Sequence, residues 1–234
     1  MKIVRTIFSV ILLLLGTSCA SEYQIEGNSS VTKLDGKMFV VKIPRDGQMM
    51  PIDSAEVIHG LFKMQGEIDS VVIASLYMGD QSIMPLVVEE GNIRIMIDNA
   101  RVMVSGTPLN DELYRFVGKK SLLEDRAYEV GRMESRMIME GKPMEEVERK
   151  IMQEREKLSK EMDELVKDFV QKNYENVLGP GVFIMLCNNF PYPVLTPLIE
   201  EIVEDAPDSF KNDRMVKEYM SAARANMSRW ATEK

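Results

Sequence analysis

The chain has 234 residues, a formal net charge of −8 and 45% apolar residues. That apolar fraction belongs to a globular protein, and an acidic chain without a basic cluster is a poor match for nucleic-acid phosphates. Two cysteines and a single histidine leave little material for disulfide, thiol or imidazole chemistry.

The N-terminus reads as a lipoprotein signal. Lys2 and Arg5 form a basic start, Ile7 to Leu15 an apolar run, and Gly16-Thr17-Ser18 a small-residue approach to Cys19. The run is roughly half of the about 20 residues a membrane-spanning helix needs. The expectation is therefore a signal peptide over 1–18 and lipidation of Cys19, the acyl chains supplying membrane affinity. Cleavage would remove Lys2 and Arg5 and no acid, making the mature chain more acidic still. Ala20 and Ser21 follow Cys19 in place of the aspartate that retains some lipoproteins in the inner membrane, and Glu22 stands alone where an acidic surface-export cluster would lie. This predicts an outer-membrane lipoprotein facing the periplasm.

From residue 22 to 106, short apolar runs punctuated by turn residues predict an all-β unit. Strands are expected at Tyr23 to Glu26, ending at Gly27-Asn28, and at Lys37 to Ile43, ending at Pro44 before an Asp46-Gly47 turn. Six more follow at Asp53 to Ile58, Leu61 to Met64, Val71 to Tyr77, Pro85 to Val88, Ile93 to Ile97 and Val102 to Val104. Eight short strands at this spacing predict an antiparallel β-sandwich or open barrel over 19–107.

Past Pro108 the apolar period changes from two to about three and a half. Leu109, Leu113, Phe116, Val117 and Leu123 form one stripe, continued by Val130, Met133, Met137 and Ile138. Gly141-Lys142-Pro143 interrupts, and Met144, Val147, Ile151, Leu158, Met162, Leu165 and Phe169 mark a second helix. A long helical hairpin results, its outer face dense in Glu, Lys and Arg. Leu178 to Pro197 reads as a compact stretch broken by Pro180, Pro191, Pro193 and Pro197, followed by helices from Val194 to Val203 and Asp213 to Trp230. The fold class is α+β, with the helical region over 108–234 and a hinge near Gly106-Thr107-Pro108. The nineteen methionines fall mostly at core-facing spacing, so packing accounts for them.

Candidate chemistry is sparse. With Cys19 lipidated, Cys187 is alone, and its run Val182-Phe183-Ile184-Met185-Leu186 predicts a buried structural thiol. His59 adjoins Gly60 and reads as a polar turn residue, although Asp53 and Ser54 could pair with it. Glu89-Glu90 and Glu200-Glu201 read as surface carboxylates. Phe183, Phe190, Tyr192 and Trp230 could line a peptide or glycan groove, but suit better a junction between the hairpin and the C-terminal helices. No catalytic, cofactor-binding or metal-ligating residue is assigned.

Several β-region motifs carry a resemblance: Tyr23-Gln24-Ile25-Glu26-Gly27, Ile52-Asp53-Ser54, His59-Gly60-Leu61-Phe62 running into Gly66, Val88-Glu89-Glu90-Gly91-Asn92-Ile93, and Val104-Ser105-Gly106-Thr107-Pro108-Leu109-Asn110. Together they resemble the domain of unknown function that precedes a thioredoxin-like domain in Bacteroidota thiol-disulfide oxidoreductase lipoproteins. Lys172-Asn173-Tyr174-Glu175-Asn176 is similar to the helical linker of those proteins, and Gly16, where the common lipobox has Leu, resembles a relaxed Bacteroidota lipobox. The Cys-x-x-Cys of such relatives has no counterpart here, since Asn188, Asn189 and Phe190 follow Cys187, so redox activity is not carried over. Gly27, Gly60, Gly66, Gly91 and Gly106 are expected to be turn glycines.

The reading that follows is a non-enzymatic, lipid-anchored envelope module. Its partners would be the membrane, through the anchor, and a protein or peptide, which the resemblance would tie to a thiol-oxidoreductase system; oligomeric state is left open. The alternatives are a carrier of a small apolar or glycan ligand, which needs an apolar cavity, and a degenerate enzyme without its thioredoxin domain.

Overall fold

The computed structural model describes residues 21–45 and 47–232, with side chains up to Arg229. The expected signal peptide, Cys19, Asp46 and the Trp230 side chain lie outside the described residues. The chain divides into two compact units between Val102 and Met103, a few residues before the expected boundary at 107.

The first unit is a β-sandwich. Its strands are β1 (Ser21–Ser29), β2 (Met38–Arg45), β3 (Gln48–Glu56), β4 (Leu61–Ile68), β5 (Val72–Met78), β6 (Gln81–Val88) and β7 (Gly91–Ile97), with β8 (Val102–Ser105) straddling the division. One sheet has the order β4-β1-β7-β8 and the other β3-β2-β5-β6. β1 pairs with β4, β2 with β3 and β5, and β5 with β6 antiparallel, while β1 and β7 run parallel; the expected sandwich forms, but not a purely antiparallel one. The sheets pack face to face, with Phe39 of β2 meeting Phe62 of β4 edge-on at 4.9 Å between ring centroids. Around them Ile25, Val41, Leu76, Leu86 and Ile93 are fully buried.

Several strands run longer than their punctuation predicted. β2 continues through Pro44, because β5 pairs only with Phe39 to Lys42 and asks for no amide from Pro44. The hairpin then closes at Gly47, which has φ of 74°. Gly27 and Gly66 lie inside β1 and β4 rather than at turns. Each is the antiparallel partner of an aromatic residue, Gly27 of Phe62 and Gly66 of Tyr23, and each leaves the space its partner's ring fills. Gly60, Gly91 and Gly106 do have positive φ, as expected.

The second unit is helical: α1 (Pro108–Met139), α2 (Met144–Lys172), α3 (Leu178–Cys187), α4 (Pro197–Glu204), α5 (Asp208–Lys211) and α6 (Arg214–Thr232). At the start of α1, Asp111 Oδ1 accepts from the Gly106 amide at 3.0 Å and Thr107 Oγ1 from Asn110 Nδ2 at 2.8 Å. α1 and α2 form the expected hairpin. Phe116 stacks on Phe169 at 4.4 Å near its base, and Val130, Val147, Ile151 and Leu158 form a separate buried cluster, with Leu123, Met133 and Met137 packed on it. Arg126 forms a two-pronged ion pair with Glu161, and Arg155 reaches Glu134 at 2.7 Å.

Two corrections concern the C-terminal third. Leu178 to Cys187 is a helix despite Pro180, since a proline in the first turn withholds an amide that has no intrahelical acceptor. The short α5 was not expected either. The junction between α2 and α3 is polar: Asn173, almost wholly buried, donates to Phe169 O at 3.0 Å and Glu112 Oε1 at 3.2 Å and accepts from Asn176. Gly179 is packed so closely on the Asn173 carbonyl that a Cβ there would lie 2.3 Å from its oxygen.

Candidate functional site

At one end of the sandwich, a side-chain hydrogen bond joins β1 to β3. The Tyr23 hydroxyl donates to Asp53 Oδ2 at 3.1 Å, while Asp53 Oδ1 accepts from the Ser54 amide at 2.7 Å. Burial and the neighbouring carboxylate push the phenol up to about 12, so Tyr23 stays protonated at neutral pH and braces the sheets rather than exchanging protons. A groove of about 580 Å³ opens beside it, with Ile43, Arg45, Ile52, Glu67 and Asp69 on its walls. A second groove of about 450 Å³ is flanked by Gln24, Gln65 and Asn92. Both are polar recesses, unlike the apolar cavity a small-ligand carrier requires.

His59 occupies the turn between β3 and β4. It has φ of 53° and Gly60 of 78°, and Ile58 and Leu61 exchange backbone hydrogen bonds of 2.9 and 3.0 Å across them. This is a two-residue hairpin turn of the kind that requires positive φ at both central positions. His59 is exposed there, and both oxygens of Asp53 are engaged by Tyr23 and Ser54. The sequence brings no triad together at this point.

Of the carboxylate pairs, Glu200 and Glu201 are exposed, and Glu201 binds Lys167 at 3.0 Å. Glu89 departs from expectation: it is buried directly after the buried run Leu86-Val87-Val88, and only Glu90 is exposed. Among the described residues no cluster of three or more His, Cys, Asp or Glu is placed to hold a metal ion.

Cys187 is buried at the end of α3. Burial raises its thiol to about 12, opposed by the Tyr219 hydroxyl within hydrogen-bonding reach. The same hydroxyl donates to Val194 O at 3.0 Å and accepts from Val194 N at 3.1 Å. The expected aromatic group is split. Phe183 is fully buried and packs edge-on against Phe210 and Tyr219 at 5.5 and 6.2 Å, Phe210 in turn meeting Tyr174 at 4.7 Å. Tyr192 is half exposed. Phe210, Tyr174 and Tyr219, rather than Phe190 and Tyr192, complete the cluster, which is core.

The helical hairpin carries exposed apolar residues beside grooves along its seam. Grooves of about 840 and 730 Å³ flank its seam, the first reaching Val130, Met133, Met137 and Leu158 and the second Leu122, Leu123 and Leu165. Leu122, Tyr128, Ile138, Met139, Met144 and Met152 are exposed on the same two helices. The methionines meet the packing account only in part: Met64, Met84 and Met220 are buried and Met133 and Met137 pack on the hairpin cluster, whereas Met38, Met49, Met50, Met96, Met139, Met144, Met152, Met185 and Met227 are exposed. Sequence reasoning also missed a cleft of about 560 Å³ between α4 and α6, lined by Leu195, Val203, Val216 and Met220 with Glu200, Lys211 and Arg224 around them. Alternating apolar and charged residues on those helices were its only sequence signal.

No curated protein matches the chain. The family comparison finds no thioredoxin-like domain. Residues 23–113, from the groove tyrosine of β1 into the first turns of α1, match the family described as Domain of unknown function (DUF4369), and this segment is the N-terminal domain of unknown function that the motifs around Tyr23, His59 and Gly106 resemble.

Proposed function

We propose that the chain is a lipid-anchored, non-catalytic module of the cell envelope that binds a protein or peptide partner through its helical hairpin. The observation that carries this reading is the exposed apolar set on α1 and α2, Leu122, Tyr128, Ile138, Met139, Met144 and Met152, beside seam grooves whose floors are only partly covered. Exposed methionines suit adaptable recognition, because their unbranched chains repack around different partners. The anchor would be Cys19 and the location the periplasmic side of the outer membrane. The resemblance to oxidoreductase lipoproteins makes their thiol-disulfide system the first place to seek the partner.

Against a carrier of small apolar ligands stand the filled sandwich core around Phe39, Leu76 and Leu86 and the polar grooves at its end. A photo-crosslinking amino acid at Tyr128 or Met152, introduced in the native host, tests the proposal. A discrete protein adduct, absent when the crosslinker stands at exposed Asp80 of the β5–β6 turn, is the expected result. No adduct at either hairpin position, together with a small molecule retained by the purified chain in native mass spectrometry, would favour the carrier.

A further inference from the structure

Two cross-sheet contacts fix which ends of the sandwich strands coincide. Tyr23 of β1 meets Asp53 of β3, and Phe62 of β4, the partner of Gly27 further along β1, meets Phe39 of β2. Travelling from Gly27 toward Ser21 is therefore travelling from Phe39 toward Arg45. Ser21, Ile68, the β4–β5 connection and the tip of the β2–β3 hairpin share one end, and Ile68 lines the same groove as Ile43, Arg45 and Ile52. Cys19 lies two residues before Ser21, and two residues reach at most about 7 Å. An acyl chain on Cys19 would leave this end no room to stand away from the bilayer.

We propose that this end is a second membrane contact, in which Met49, Met50, Ile52 and Val71, all exposed, with half-buried Ile43 and Ile68 behind them, seat in the interface of a zwitterionic bilayer. The proposal rests on the reading of Cys19 as lipidated. Exposure alone does not choose the end, because Met38, Ile58, Leu61 and Met96 are exposed at or near the other one. The tether chooses it. Charge chooses the lipid: among the described residues Glu22, Glu67, Asp69 and Glu90 are exposed around the contact against the exposed Arg45, while Lys42 is drawn over the Tyr77 ring, so anionic headgroups repel this face and neutral ones admit it. Arg45 can keep its guanidinium at headgroup level while its stem follows the apolar residues inward.

The test separates the contact from the anchor by making the anchor chemically. The chain from residue 19 onward, carrying Trp230→Phe and Met50→Trp, is coupled through Cys19 to a maleimide phospholipid in phosphatidylcholine vesicles; buried Cys187 is not expected to compete. The expected result is a blue-shifted Trp emission lost to brominated phosphatidylcholine, with the loss diminishing as phosphatidylglycerol is added. A Thr32→Trp variant, on the connection at the opposite end, should be unquenched. Met49→Trp repeats the reading should Met50→Trp fail to fold. An unquenched, water-like emission at both hairpin positions on tethered protein, or equal quenching at Thr32, overturns the contact. Mass analysis of Cys19 in the native host reads the lipidation separately: an unmodified Cys19 removes the tether and the contact with it, whereas an acylated Cys19 beside an unquenched hairpin Trp overturns the contact alone.

Discussion

The ring of Phe62 fills the place a side chain on Gly27 would take: a Cβ built there would lie 1.9 Å from Cζ. Tyr23 stands in the same relation to Gly66, at 2.8 Å from its hydroxyl oxygen and 3.1 Å from ring carbons. The two pairs lie across β1 and β4, and each strand supplies one aromatic and one glycine. A ring lying over a cross-strand glycine covers backbone that would otherwise be bare, which offsets part of the entropic cost of glycine in a strand.

Gly27→Ala is accordingly expected to destabilise the sandwich by about 1–3 kcal/mol, the usual cost of overpacking a filled site. Gly66→Ala should cost less, because its built Cβ lies 2.8 Å from the nearest atom of Tyr23, against 1.9 Å from Phe62 at Gly27. Gly118 and Gly131 serve as the contrast: both lie inside α1 with nothing within 4 Å of a built Cβ, so alanine there should stabilise by roughly 0.5–1 kcal/mol. Urea unfolding of the four variants checks the order. Equal effects at Gly27 and Gly118 would mean that the Phe62 ring does not hold its place.

These glycines also show how much could be read in advance. The eight strands and the two long helices announced themselves through their apolar periods, and the hairpin break at Gly141-Lys142-Pro143 fell where expected. Gly27 and Gly66 were taken as punctuation because local chemistry treats glycine as a breaker, and only pairing reveals the ring opposite. A trace was present: Tyr23 precedes Gly27, and Phe62 precedes Gly66, by four residues, which keeps each aromatic on the same face as its own strand's glycine and lets antiparallel pairing exchange them. Pro180 misled for the same reason, being disruptive inside a helix and harmless in a first turn. The hairpin's exposed apolar residues were illegible because an amphipathic period does not say whether its stripe is wide enough to be covered by one partner helix. The same limit concealed the exposed methionines.

The bond from Tyr23 to Asp53 predicts an alkaline loss of stability. Folding raises the phenol from 10.0 to about 12, so the native state favours the protonated form. This contribution is complete below about pH 10 and is lost as pH rises from there through about 12. Tyr23→Phe removes both the hydrogen bond and this pH dependence, and should cost about 0.5–1.5 kcal/mol at neutral pH. The measurement is the difference in unfolding free energy between wild type and Tyr23→Phe at pH 8 and pH 11. It should narrow at the higher pH, and a constant difference would show that the phenol is not the titrating group.

Asn173→Ala should loosen the helical unit by about 1–3 kcal/mol, because Glu112, Asn176 and the Phe169 carbonyl all lose a buried partner. Gly179→Ala should be at least as damaging, since its new methyl would meet backbone that cannot yield. Hydrogen exchange at the end of α2 and the start of α3 distinguishes this local opening from global unfolding.

For the anchor, Cys19→Ala is expected to move the protein from the membrane fraction to the soluble one and to abolish labelling by a fatty-acid analogue. Protease added to intact cells should leave the wild-type protein uncut if it faces the periplasm. Label retained on the variant would refute lipidation at Cys19, and complete digestion would place the protein on the cell surface.

Cys187 should behave as a core residue rather than a reagent. Burial lifts its thiol from 9.0 to about 12, which leaves a thiolate fraction on the order of 10⁻⁴ near pH 8, and the surrounding Val182, Phe183 and Tyr219 limit approach. With Cys19 lipidated, Cys187 also has no second cysteine thiol in this sequence with which to release a mixed disulfide. Native alkylation of a Cys19→Ala form is therefore expected to be far slower than in denaturant, and insulin reduction with dithiothreitol should proceed at the uncatalysed rate. Cys187→Ser should lower stability by about 1–3 kcal/mol if the new hydroxyl finds no partner. The Tyr219 hydroxyl, already joined to both polar groups of Val194, can hold that cost toward the lower end. Fast native alkylation together with insulin reduction abolished by Cys187→Ser would instead make this buried thiol a working one, and would turn the search for function from the hairpin to the end of α3.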